Sequence, residues 1–172
     1  MRNPIRMSEQ EALDKFRLWY IGPIEKLKEL PNGAGGFVAF MVGIALYERL
    51  IVARLKLKDQ KADDDAIQET IKDDLSLTDQ QRRIFWDMFR NGLFHQAMPK
   101  LGKTGYCFNH TFTGYPEFKV LDGHPVICID PWKFTDRVII EFLSDPKLIM
   151  ESVSYPLPSI LPIPFDKLTE LE

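Results

Sequence analysis

Arg90, Asn91 and His95 are the residues of this chain whose types and spacing suggest chemistry. A guanidinium is a planar, permanently charged fork that matches phosphate oxygens. An imidazole takes or gives a proton near neutral pH. Asn91, four residues before His95, can orient the ring or hydrogen-bond a substrate oxygen. Together these are the groups of phosphate chemistry. On a helix, Ile84, Met88, Asn91 and His95 form one stripe that changes from apolar to polar as it runs. Polar groups on the continuation of a core-facing stripe cost free energy unless something uses them. Arg90 lies off that line, but its long side chain can swing toward the Asn91/His95 face. A purely structural reading competes: a snorkelling Arg, a satisfied core His and an Asn near a helix end.

Other groups are weaker candidates. Cys107, His110, His124 and Cys128 have spacings that could supply four zinc ligands, although Cys107 and His110 would point to opposite faces of a regular strand. Asp63, Asp64 and Asp65 could hold a cation, but solvated loop charge is the commoner reading. Gly33-Ala34-Gly35-Gly36 lacks the Gly-Lys-Ser/Thr ending of a phosphate loop and follows a helix, so it reads as a flexible lead into the next helix. No metal or cofactor is therefore expected.

The elements that must position the first three residues are helical. Thr78 to Gln81 is a capping box, and Ile84, Phe85, Trp86, Met88 and Phe89 supply helical apolar spacing up to the stop at Pro99. Ser8 to Glu11 is a second capping box, opening a helix with Leu13, Phe16, Trp19 and Tyr20 that Gly22-Pro23 breaks or kinks. Pro31-Asn32-Gly33 is a turn. Residues 37–58 form the longest helix, apolar nearly all round at first, as a buried helix should be. Glu48 interrupts its apolar stretch and is expected to pair with a nearby Arg. Its basic end, Arg49, Arg54, Lys56 and Lys58, either suits the helix dipole or faces phosphate. A short helix around residues 66–71 sits in an acidic connector.

Arg, a polar residue, then His after four intervening residues, late on an apolar helix that comes after long helices, resembles the signature of the HEPN superfamily. Those are small, mostly helical, usually dimeric domains. Many are metal-independent ribonucleases of toxin–antitoxin, abortive-infection and other defence systems. Their motif often places Asn, Asp or His directly after the Arg, and Arg90, Asn91 and His95 match it one by one. The resemblance covers roughly residues 8–100. Relatives paired with a small nucleotidyltransferase often carry Tyr two residues after the His; Ala97 stands there, which argues against that subclass. The resemblance implies RNA as partner, a homodimer, and an antitoxin protein as a further possible partner.

After Pro99 the pattern changes. Residues 106–112, 117–121 and 125–129 read as short strands, with Asp122-Gly123 a hairpin turn. Asp130-Pro131 opens a further helix that Asp145-Pro146 ends. The tail, Tyr155 to Phe165, carries four prolines among apolar residues and favours extended polyproline structure.

The whole reads as a single domain over 1–172: mainly α, a HEPN-like helical bundle with a small antiparallel β-hairpin appendage near the C-terminus. Its parts are a helical core (8–100), the β appendage (105–130), a helix (131–145) and a Pro-rich tail (146–172). The net charge of −3 excludes a global basic field for nucleic acid but not a local cluster at a dimer cleft. Two cysteines argue against a disulfide scaffold. Residues 1–6 lack the apolar core of a signal peptide, and the longest uncharged apolar run, Ala34 to Tyr47, is short for a bilayer, which needs about 20 residues. A cytoplasmic protein without a membrane partner is expected.

Three functions remain in play. The first is a metal-independent endoribonuclease, in which the RNA's own 2′-hydroxyl attacks phosphorus at a dimer cleft. The second is a non-catalytic HEPN-like dimer binding nucleotide, RNA or a protein partner. The third is a zinc-stabilised interaction module.

Overall fold

Both capping boxes form. Ser8 Oγ accepts from the Glu11 N–H at 3.2 Å, and the Glu11 carboxylate accepts from the Ser8 N–H at 2.9 Å. Thr78 Oγ1 accepts from the Gln81 N–H at 3.3 Å, and Gln81 Oε1 accepts from the Thr78 N–H at 3.0 Å. Each pair satisfies donors that a helix start otherwise leaves to water. Thr78→Ala should cost about 1 kcal/mol, read as a lower urea midpoint with an unchanged slope; no change would show that Thr78 is not needed to start the motif helix.

The computed structural model describes residues 8–151; the Pro-rich segment from Tyr155 to Phe165 lies outside them. The first helix, α1 (Glu9–Phe16), does not break at Gly22-Pro23. It passes through a π-helical turn, Arg17–Ile21, into α2 (Gly22–Lys28). Pro23 has no N–H and its ring crowds the carbonyl four residues back, so the helix widens instead of stopping, and the Gly22 N–H reaches the Arg17 carbonyl. The Pro31-Asn32-Gly33 turn comes next, with Asn32 and Gly33 at positive φ.

The central helix α3 (Gly36–Leu57) is buried along most of its length. Gly35, just before it, is there for close approach rather than flexibility: a Cβ would sit 2.3 Å from the Leu27 carbonyl oxygen. Among the described residues α3 is the one helix long and apolar enough to cross a membrane; 56% of that stretch is buried inside the protein, and core packing accounts for its composition. It packs on α7 (Pro131–Ser144), α8 (Pro146–Glu151) and α4 (Asp64–Asp74). Helix α4 is capped by Asp63, which accepts from the Ala66 N–H at 3.1 Å. Its C-terminal end is fixed by Arg54, which holds Asp74 at 2.6 Å and also bonds Glu141 of α7. The helix that opens at Thr78 is α5 (Asp79–Phe85).

The β region departs from expectation. Strands β2 (Glu117–Leu121) and β3 (His124–Ile129) form the antiparallel hairpin, with Asp122 and Gly123 both at positive φ as its two-residue turn requires. Strand β1 (Gly105–Phe108) pairs with β3 in parallel, giving a mixed sheet of order β1-β3-β2. β3 is inserted between the two earlier strands. β1 also ends sooner than expected, because Asn109 turns the chain: its side chain accepts from the Thr111 N–H at 2.9 Å. Nor is the sheet an appendage. Ile127 and Ile129 are fully buried, and Phe108 packs on Phe40 of α3. Helices and sheet share one hydrophobic cluster, centred on Phe40, which meets Phe89, Phe108 and Phe134 edge-on at 5.0 to 5.2 Å.

Asp130 caps α7 from a buried position, accepting from the Trp132 and Lys133 N–H groups. Asp145-Pro146 ends α7 but opens α8, so residues 146–151 belong to a helix rather than to a Pro-rich tail. The physical reason is that Pro at a first helical position is favourable, and Leu148 and Ile149 then reach the core.

Candidate functional site

The motif lies where a π-helical turn, Trp86–Asn91, meets the short final helix α6 (Gly92–Gln96). Within that turn the Gly92 N–H reaches back to the Asp87 carbonyl, five residues away. Met88 O thereby loses its α-helical donor. The Lys100 N–H takes its place at 2.9 Å, so the chain returning after Pro99 folds onto the helix. Gly92 makes this possible, since a Cβ there would sit 2.3 Å from the Lys100 nitrogen. Helix α6 closes at Ala97, which takes a left-handed conformation.

The extra residue in the π turn rotates the last turn of the motif helix by about 100° relative to a regular helix. Met88 is buried, Asn91 is half-buried and His95 is exposed. The stripe therefore leaves the core before His95, and His95 carries no burial cost within this chain. Its side chain makes no hydrogen bond with any described residue.

Arg90 is held firmly. Its Nε donates to Glu48 Oε2 at 3.2 Å and its Nη2 to Glu48 Oε1 at 3.0 Å, a two-pronged pair with α3. Nη1 donates to Asn91 Oδ1 at 3.3 Å, and the guanidinium lies 5.6 Å from the centre of the Phe94 ring. Of its five N–H donors three are engaged by described residues, and among those residues one on each Nη remains open to a ligand. Asn91 in turn donates to Asp87 Oδ1 at 3.2 Å, and Lys100 Nζ lies 2.9 Å from Asp87 Oδ2. The site is thus a chain of contacts, Glu48–Arg90–Asn91–Asp87–Lys100, on the helix whose last turn carries the exposed His95. Arg90 and Asn91 touch; neither bonds His95.

The expected pairing of Glu48 with an Arg is present, and its partner is the motif residue itself. Asp87 and Lys100 do not stand out in the sequence; the position of Asp87 four residues before Asn91 is the signal that could have found it.

The Lys100 ammonium first, and the Asn91 amide second, hold the Asp87 carboxyl below the usual carboxylate range. A lowered folded value means the contacts stabilise the fold above the unfolded value of about 4 and are lost as pH falls through the folded value. In an NMR titration Asp87 should titrate below an ordinary Asp, and Lys100→Ala should move its midpoint back up; a midpoint indifferent to Lys100 would reject the pairing.

The rival sites separate. Cys107 and Cys128 are register partners on β1 and β3, but His110 sits in the exposed turn after β1, and His124 pairs with Leu121 at the far end of β3. Among the described residues no three Cys, His, Asp or Glu side chains form a metal-ready group. The basic end of α3 is largely committed too: Arg49 donates to the Tyr20 hydroxyl at 2.6 Å, and Arg54 bridges Asp74 and Glu141.

Phe94, Met98 and Leu101, close to His95 along the chain, are exposed at 48%, 54% and 70%. No family model matches this chain, and no curated protein or solved structure matches it significantly.

Proposed function

We propose that the protein is a metal-independent endoribonuclease of HEPN type, acting in the cytoplasm as a homodimer, with Arg90, Asn91 and His95 as its working residues. The observation that carries this reading is an exposed imidazole with no bond to any described residue, five residues along the motif from a guanidinium that Glu48 and Asn91 orient and that keeps two donors unbonded among the described residues. The 2′-hydroxyl of the RNA attacks the adjacent phosphorus. One His95 accepts the hydroxyl proton, and the His95 of a second copy protonates the departing 5′-oxygen, so each proton transfer has its own imidazole. Arg90 stabilises the charge developing on the phosphorane oxygens, where its fixed fork requires little reorganisation. Asn91 positions Arg90. The exposed Phe94, Met98 and Leu101 supply the apolar surface that pairing two copies would cover.

The products are a 2′,3′-cyclic phosphate and a 5′-hydroxyl. Mass analysis of fragments, with and without chelator, tests this: 3′-hydroxyl ends, or loss of cleavage in chelator, would overturn it. Sedimentation should show a dimer at micromolar concentration.

A second reading, a non-catalytic dimer that binds nucleotide, RNA or protein, is favoured by one observation. Glu48 neutralises Arg90 at close range, which weakens its pull on phosphate. Intact protein that binds RNA but cuts none would select it.

A further inference from the structure

We propose that Cys107 and Cys128 form a redox-modification site, a dithiol on the face of the sheet opposite the Phe89 contacts that a peroxide converts into an intramolecular disulfide clamping β1 to β3. The chain has two cysteines, and both are free. They are Cα partners in the parallel β1–β3 ladder, so their side chains leave the same face side by side. Adjacent strands stand about 4.8 Å apart, inside the Cα separation of roughly 4.4–6.8 Å that disulfides use.

The face they share is the one opposite the Phe89 contacts. Tyr106 and Phe108, flanking Cys107, both pack against Phe89 of the motif helix, at 6.1 and 5.9 Å. Ile127 and Ile129, flanking Cys128, belong to the central cluster. Alternation sends the two thiols to the other side. There Glu117 is the register partner of Cys128 across the hairpin, and Lys119, bonded to Glu117 at 2.7 Å, lies two residues on along the same face.

The two thiols differ in access, which sets their roles. Cys107 is half-buried and Cys128 is buried. Burial first, and the neighbouring Cys107 second, push the Cys128 thiol up, with Lys119 opposing. Cys107 is therefore the sulfur that meets the oxidant. Its thiolate displaces hydroxide from hydrogen peroxide, giving a sulfenic acid; the peroxide oxygen is reduced and the sulfur oxidised. The Cys128 sulfur then attacks the Cys107 sulfur, its proton leaves with the departing hydroxyl as water, and the S–S bond forms. A dithiol reductant reverses the change by exchange. The clamp would act directly behind the motif, because β1 carries the two rings that back Phe89.

The test uses the full chain, reduced, freed of reductant, exposed to hydrogen peroxide while folded, then unfolded and alkylated with iodoacetamide. The expected result is joint loss of both alkylatable thiols, a mass lower by two hydrogens, one cross-linked peptide pair containing Cys107 and Cys128, and full recovery with dithiothreitol. Hydrogen exchange in β1 should slow on oxidation in the wild type and not in Cys107→Ser, which alters a half-buried position and leaves the core intact. The proposal is overturned if peroxide leaves both thiols alkylatable, if Cys107 proceeds to sulfinic acid with Cys128 still free, if the cross-link joins two copies, or if it forms only in urea.

Discussion

His95→Ala is expected to lower RNA cleavage by about a hundredfold or more, the usual weight of a positioned proton-transfer group, while the protein stays folded. Folding should survive because His95 is exposed and bonds no described residue, so truncation opens no cavity and orphans no partner. The loss should fall on kcat more than on KM, since proton transfer serves the transition state rather than the bound substrate. Arg90→Lys should also fail, because an ammonium cannot reproduce a fork that grips Glu48 with two donors and still offers others to phosphate. RNA lacking the 2′-hydroxyl at the cut site should resist cleavage. Cleavage that survives His95→Ala would show that the site assignment is wrong, and a circular dichroism spectrum unchanged from wild type keeps the result interpretable.

The largest effect on stability should come from Phe40→Ala, with a cost of about 3–5 kcal/mol. Phe40 is fully buried and its ring meets Phe89, Phe108 and Phe134, one each from the motif helix, the sheet and α7. Removing it leaves a void that several separate elements would have to collapse into, and they are constrained by their own packing. Against a typical domain stability of about 5–15 kcal/mol, this removes from about a fifth to the whole of the margin that keeps the protein folded. Urea denaturation of the variant reads it directly. A cost below about 1 kcal/mol, the range of a surface substitution, would mean that the aromatic cluster is not the centre of the core.

Local signals in the chain determined the helical framework. Ser8/Glu11 and Thr78/Gln81 cap their helices as the pattern of donors and acceptors demands, Asp130-Pro131 opens α7, and Asp122-Gly123 turns the hairpin. These are contacts between residues close together in the chain, so their partners are visible in the sequence itself. The apolar run of α3 likewise identified the central helix, since a segment apolar on all sides must be covered on all sides.

Tertiary structure decided what depends on distant partners. The parallel pairing of β1 with β3 is a choice of neighbour that alternation along a strand does not encode. At the motif, periodicity placed His95 on the Met88 line, but the π turn shifted the phase. That shift depends on the Met88 carbonyl having a second donor, the Lys100 N–H, and on Gly92 letting that strand of chain approach. Arg90 stands out in the sequence as a cation seeking an anion, and Glu48 as an anion seeking a cation; that each is the other's partner is settled only by α3 lying beside the motif helix. Residue types and short spacings are set by the chain alone, whereas pairings across 42 residues exist only once the hydrophobic core has brought the helices together.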